Sequence, residues 1–148
     1  MVFNWILINQ FAIGTPVKTN KEKELLQERG IKTVIDLRNK EDLNAINHQE
    51  YIVNLSGYEY QNVPLPDHRT GRLSEPFEIR QAVDILDSSL SKGAVFMHCH
   101  AAAERSPLIS IAYLHIKKGF SILNSCDFVK QQNRSTIVNM RQLKNINN

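Results

Sequence analysis

Two short apolar runs, Thr33–Leu37 and Ala94–Met97, each follow a segment of helical spacing closed by a glycine. Ahead of the first, Thr19 and Glu22 form a capping-box pair, Leu25 and Leu26 supply an apolar face, and Gly30 suits the residue after a helix end, so 20–29 is predicted helical. Ahead of the second, Ser74 with Pro76 just inside opens a helix whose Phe77, Ile79, Ala82, Val83, Leu86 and Leu90 keep helical spacing up to Lys92-Gly93. A helix followed by a short buried strand, repeated, is the pattern of a parallel sheet covered on both faces. The expected fold is therefore α/β, with a small central, mostly parallel sheet flanked by helices. Asn4–Ile13 reads as two short strands around Asn9-Gln10, and Tyr58–Leu65 as a looser strand stopped at Pro64-Leu-Pro66-Asp67. Pro107–Lys118 reads as a helix ended by Gly119, and two more helices are expected at about 121–132 and 136–145.

The totals fit one domain, 1–148, able to close a core without staples. A net charge of +3 is too mild and dispersed to argue for nucleic acid, but it suits an anionic substrate. Cys99 and Cys126 give no disulfide framework, which favours a reducing, cytoplasmic setting. No apolar run reaches the length of a membrane span, and the apolar opening, interrupted by Asn4, Asn9 and Gln10, is read as strands rather than a leader. Asn54-Leu-Ser56 and Asn133-Arg-Ser135 match the glycosylation tripeptide and are read as chance. A monomer without nucleic-acid or membrane partners is the default.

The chemistry concentrates after Met97. A strand ending at His98, a tight turn through His100, Ala101, Ala102, Ala103 and Glu104, and a helix starting near Arg105 aim successive backbone N–H groups and a helix N-terminus at one spot. Such a spot binds an anion. Its positive potential also favours the thiolate of Cys99, the nucleophilic form, relative to a free thiol at roughly 8.5. Arg105 can reach back across the turn and grip two oxygens of a tetrahedral oxyanion in a fork that lysine cannot copy. The group that fits is a phosphate monoester. No cofactor and no metal is called for, because the adjacent His98, Cys99 and His100 cannot easily converge on one tetrahedral ion.

His98-Cys99, five residues, then Arg105-Ser106 resembles the H-C-x5-R-S/T signature of cysteine-dependent protein phosphatases, in particular the dual-specificity class. Val34-Ile-Asp-Leu-Arg38 resembles that family's strand after the first helix, Pro64-Leu-Pro-Asp67 its general-acid loop, and Pro107–Leu114 the helix behind the phosphate loop. The resemblance implies a phosphate loop between a central strand and a helix. It also implies a two-step reaction in which Cys99 attacks phosphorus while Asp67 protonates the leaving oxygen and then activates water. Arg105 and the amides of residues 100–105 hold the equatorial oxygens. Ser106 hydrogen-bonds Cys99 and eases its departure, and His98 is a buried residue that holds the loop. The substrate implied is a phosphoprotein, carrying phosphotyrosine and also phosphoserine or phosphothreonine.

Other residues compete for these roles. Asp36, Glu59, Asp84 and Asp87 rival Asp67 as the acid, but Asp36 reads as buried in a strand and the helical Asp84 and Asp87 as solvated. His68 is an alternative proton donor, and Arg69 and Arg72 are candidates for receiving a second anionic group, as in a small phosphorylated metabolite such as an inositol phosphate. Cys126 reads as core, and Lys117 and Lys118 as complements to a helix dipole. The family usually has glycine where this chain has Ala102, and alanine at a positive φ costs on the order of 1 kcal/mol. Ala102 thereby raises a third reading, an inactive phosphate-binding module. Glu104 places a negative charge beside the anion site, and the lysines that mark the phosphoinositide-directed members of the wider family are absent from 100–104, so the resemblance implies a substrate other than a lipid.

Overall fold

The computed structural model describes residues 1–44, 55–67 and 71–147. Asn54, His68 and Arg69, named above, lie outside the described residues.

The chain opens with a hairpin, β1 (Phe3–Leu7) and β2 (Phe11–Gly14), turning through Asn9 at φ 63°. Helix α1 (Asn20–Glu28) follows, its N-terminus capped by the Thr19 hydroxyl, which accepts from the Glu22 amide at 3.2 Å. Glu22 in turn accepts from the Lys18 amide at 2.7 Å, so the capping pair is formed one residue wider than a strict capping box. Then come β3 (Ile31–Asp36), the one-turn α2 (Lys40–Asn44), β4 (Glu59–Asn62), α3 (Pro76–Leu90), β5 (Ala94–His98), α4 (Arg105–Lys118) and α5 (Ile122–Gln132). Among the described residues five strands form one sheet in the order β1-β2-β5-β3-β4, in which only the β1–β2 pair is antiparallel. This is the expected mostly parallel α/β sheet.

Strand alternation divides the interior in two. Phe11, Ile13, Ile35, Leu37, Val95 and Met97 face the larger core, shared with Ile79, Val83 and Leu86 of α3, Ile109 and Ile111 of α4 and Val129 of α5. Ala12, Val34 and Phe96 point the other way, into a smaller core closed by Leu26 of α1. Phe96 also stacks on Phe3 at 5.5 Å between centroids. Gly14 is required where the hairpin meets this layer, because a Cβ there would lie 1.9 Å from the Val2 carbonyl oxygen and 2.9 Å from the Phe96 ring. Helix α4 is buried from Arg105 to Leu114 and ends at Gly119, in the left-handed region at φ 76°.

Two expectations are corrected. The helix expected at 136–145 is a single 3-10 turn, Met140–Gln142, because the preceding β-branched Thr136-Ile137-Val138 run spends its backbone elsewhere: the Ile137 amide donates to the Ala103 carbonyl at 2.7 Å. Helix α3 is capped at Glu75 rather than Ser74, with the Glu75 amide donating to Glu78 Oε1 at 2.9 Å, while the Ser74 amide is claimed by the buried Gln142 side chain at 2.9 Å. Helix α4 begins at Arg105, where the turn was expected to hand over to a helix, and so runs two residues further back than the Pro107–Lys118 stretch. Asp84 and Asp87 are exposed as expected, and Lys117 reaches them at 3.1 and 3.9 Å, so it has carboxylate partners in addition to the helix terminus. Cys126 packs in the larger core, where burial pushes its thiol pKa up.

Candidate active site

Strand β5 carries the chain to His98 in the middle of the sheet, and α4 leaves at Arg105, so residues 99–104 form the turn between a central strand and a buried helix. A cavity of about 60 Å³ opens there, lined by Asp67, Cys99, His100, Ala101, Ala103, Glu104, Arg105 and Ile137. Cys99 and Arg105 are nearly inaccessible, at 2% and 3% exposure. Ser106 Oγ lies 3.4 Å from Cys99 Sγ, within hydrogen-bonding reach of sulfur. Asp67 comes from the proline-bounded loop after β4, is only 6% exposed, and places Oδ2 4.0 Å from Arg105 Nη2. Cys99, Arg105 and Asp67 thus line one cavity, with Ser106 beside the sulfur, and they come from two separate stretches of sequence. Ala102 is fully buried, with φ at 56°, the left-handed conformation feared from the sequence. Glu104 accepts from Gln142 Nε2 at 3.3 Å, and so its carboxylate has a neutral partner beside the cavity.

The guanidinium of Arg105 is set by a residue that sequence reasoning missed. Asp42 on α2 accepts from Nη1 at 2.7 Å and from Nη2 at 3.3 Å, a two-point grip that fixes the plane of the fork. Burial works against the charge of Arg105, but Asp42, with Cys99 and Asp67, outweighs it and raises its pKa. Burial likewise raises the Asp42 carboxyl, and its hydrogen bonds from Arg105 and the Asn39 amide more than reverse this, leaving it below the usual carboxylate range. A signal for Asp42 existed. Asn39 Oδ1 accepts from the Asp42 amide at 3.0 Å and Asp42 Oδ2 from the Asn39 amide at 2.9 Å, a reciprocal cap written in the sequence as Asn39-Lys-Glu-Asp42. Ile137, which also lines the cavity, was hidden by the helix wrongly expected around it.

Beneath the turn, Asp36 is buried and not available as an acid. Arg38 grips it through Nε and Nη2, both at 2.9 Å, and Tyr60 donates to Oδ2 at 2.5 Å. Burial raises its carboxyl, yet His98, Arg38 and Tyr60 together hold it below the ordinary value. His98 is fully buried, with Nδ1 3.1 Å from the Cys99 carbonyl and 3.9 Å from Asp36 Oδ1. Since a carbonyl only accepts, the neutral ring carries its proton on Nδ1 and ties strand end to turn. Burial is the main reason its pKa is lowered from 6.5 to about 4; Asp36 opposes the shift and Arg38 adds to it.

That shift makes stability depend on pH. Between the ordinary 6.5 and about 4 the unfolded chain binds a proton on His98 that the folded chain refuses. The contribution is therefore fully present above pH 6.5 and drains away as pH falls toward 4, by about 3 kcal/mol in all. The Asp36 carboxyl, already held low, adds its loss only at still lower pH. Thermal melts of the parent from pH 7.5 down to 4.5 are expected to fall by about 5–10 °C, and His98→Gln to flatten that slope. Parallel slopes in the two proteins would remove His98 as the cause.

Arg72, a candidate for a second anionic group, donates instead to both carboxylate oxygens of Glu78, at 2.6 and 3.0 Å. It lines a larger cleft of about 410 Å³ that includes Lys40, Glu41, Pro64, Pro66 and Asp67, and so shares a wall with the small cavity. Among the described residues no three His, Cys, Asp or Glu side chains could hold a metal ion, and no helix is long and apolar enough to cross a membrane.

Residues 15–148 match the family described as the dual specificity phosphatase catalytic domain. Dual specificity protein phosphatase 1 of Homo sapiens is 32% identical over 111 residues, covering 74% of this chain and 27% of that protein. The chain therefore spans about a quarter of the length of that curated relative. Among solved structures, a human tyrosine phosphatase-like serine/threonine/tyrosine-interacting protein superposes with a TM-score of 0.79 at 20% identity, covering 98% of this chain and 93% of the other. PTPMT1 in complex with PI(5)P superposes with a TM-score of 0.78 at 16% identity, covering 97% and 91%. At those identities the structural likeness speaks for the fold, whereas the family match extends over most of the sequence and includes the turn that holds Cys99 and Arg105: this chain belongs to the dual specificity phosphatase catalytic-domain family.

Proposed function

We propose that the chain is a single catalytic domain that hydrolyses phosphate monoesters on protein side chains, phosphotyrosine together with phosphoserine and phosphothreonine, through a phosphocysteine intermediate. The observation that carries this reading is the meeting of Cys99, Arg105 and Asp67 at one small cavity, with Ser106 beside the sulfur. Cys99 Sγ attacks phosphorus as the bond to the ester oxygen breaks, and Asp67 delivers its proton to that oxygen, so an alcohol or phenol leaves. Arg105, levelled by Asp42, and the turn amides take up the charge spread over the three equatorial oxygens. In the second step Asp67 takes a proton from water, the water oxygen bonds to phosphorus, and the S–P bond breaks. The Ser106 hydroxyl donates to the departing sulfur, leaving inorganic phosphate. The larger cleft beside Asp67 offers room for the peptide on either side of the phosphorylated residue. Engagement of Arg72 by Glu78 takes away one of the two cations that an inositol phosphate reading relied on.

The test is hydrolysis of an aryl phosphate by the parent chain in the presence of a metal chelator, with acid-quenched samples analysed by mass spectrometry. Chelator-resistant turnover with phosphate recovered on the peptide containing Cys99 is the expected result. A folded parent without turnover sinks the enzymatic reading and leaves a phosphate-binding module, while a large preference for inositol phosphates over phosphopeptides at equal concentration replaces the substrate class.

A further inference from the structure

The outer side of the catalytic turn is gripped by the segment that follows α5. Asn133, fully buried, donates from Nδ2 to the Ala102 carbonyl at 2.7 Å. The Ser135 hydroxyl donates to the same oxygen at 3.1 Å, and the Ile137 amide donates to the Ala103 carbonyl at 2.7 Å. Asn133 is itself fixed: its Oδ1 accepts from Asn4 Nδ2 at 2.8 Å, and its Nδ2 also reaches Thr136 Oγ1 at 2.9 Å. Two consecutive carbonyls of the turn are therefore held by three donors from outside it. The residue receiving two of those donors is the one non-glycine residue of the turn with a positive φ, Ala102 at 56°.

An alanine in that region is disfavoured by the approach of its Cβ to the following carbonyl oxygen, an effect worth roughly five- to thirty-fold against the conformer. A peptide plane that flips to relieve this crowding takes its carbonyl away from Asn133 and Ser135. Two hydrogen bonds on that oxygen oppose the flip. We infer that Asn133 and Ser135 are positioning residues which hold Ala102 in its left-handed conformation, so that the turn keeps its anion-receiving shape without a glycine. The glycosylation-like tripeptide Asn133-Arg-Ser135 is then the clamp itself, its asparagine buried and occupied rather than open to modification. The inference builds on the proposed phosphate chemistry of the turn, and it concerns how the turn is held rather than which bond it breaks.

A double-mutant cycle between Ala102→Gly and Asn133→Ala tests it, read both as kcat/KM on an aryl phosphate and as the Kd for inorganic phosphate. Glycine adopts positive φ about as readily as negative, so the clamp matters less once it is present. Asn133→Ala is expected to weaken both readouts at least about ten-fold in the parent and no more than about two-fold in the Ala102→Gly background, a coupling of roughly five- to thirty-fold. Because Asn133 is buried and its loss can unfold the chain, Ser135→Ala provides a second arm at an exposed position, with a loss of about three-fold that Ala102→Gly restores. Equal losses in both backgrounds overturn the inference, as does a Ser135→Ala protein with unchanged phosphate affinity. A folded parent that binds phosphate without turnover sinks the catalytic reading alone, and the cycle is then decided on Kd. A parent that neither turns over nor binds phosphate sinks both.

Discussion

Cys99→Ser is expected to fold like the parent, to keep its affinity for phosphate, and to lose turnover by on the order of 10⁴-fold or more. The reasoning separates two functions that share one cavity. Binding rests on Arg105, on the turn amides and on the helix start, none of which involves the sulfur. Chemistry rests on sulfur as the nucleophile, and a serine hydroxyl is a far poorer one without a base to activate it, while Asp67 is reserved for the leaving oxygen. The substituted oxygen is smaller than the sulfur it replaces and, beside Ser106 Oγ at 3.4 Å from that sulfur, introduces no clash. Turnover within ten-fold of the parent would mean that the phosphoryl group never passes through residue 99.

Asp67→Asn is expected to cost about 10²- to 10⁴-fold with substrates whose leaving oxygen is basic, and far less with an activated aryl phosphate. An amide fills the space of the carboxyl but has no acidic proton to give. The loss should therefore scale with the pKa of the leaving alcohol, and the fall of kcat/KM on the alkaline side, where the acid has lost its proton, should disappear. A merely structural role would lower all substrates by one common factor. Asp67 is nearly buried and sits 4.0 Å from Arg105 Nη2, so removing its charge also strips one counter-ion from the guanidinium. That second effect acts on phosphate affinity and is separated by measuring Kd beside kcat. A uniform loss across leaving groups would hand the acid role to another residue.

Much of this site was legible because its parts are local. Cys99, Arg105 and Ser106 fall within one strand–turn–helix unit, whose ends are marked by an apolar run and a long helical pattern. Asp67 was found through its prolines, which end a strand whatever the rest of the chain does. Asp42 escaped because α2 has only five residues, too few for a periodic signal, and its meaning lies in a contact with a residue 63 positions away. Segment 136–145 misled for the opposite reason. Its Ile137, Met140 and Leu143 fall at helical spacing, but Ile137 is exposed at the cavity and its amide serves the turn at Ala103. Ser74 looked like a helix cap by composition and lost that place to Glu75 because the side chain of Gln142 had use for its amide. In each miss, a long-range partner overruled a local preference.

The order of strands carries a consequence for how the molecule comes into being. β5, which delivers Cys99, pairs with β2 on one side and β3 on the other, and both partners lie far behind it in the chain. Each pairing closes a loop of more than fifty residues before any contact rewards it. The hairpin and α1 can assemble from neighbours, but the turn after β5 is braced from outside by the segment after α5, with Asn133 reaching back 31 positions to the Ala102 carbonyl. A nascent chain made only as far as α5 thus carries Cys99 and Arg105 in a turn whose outer carbonyls still lack the donors that hold them.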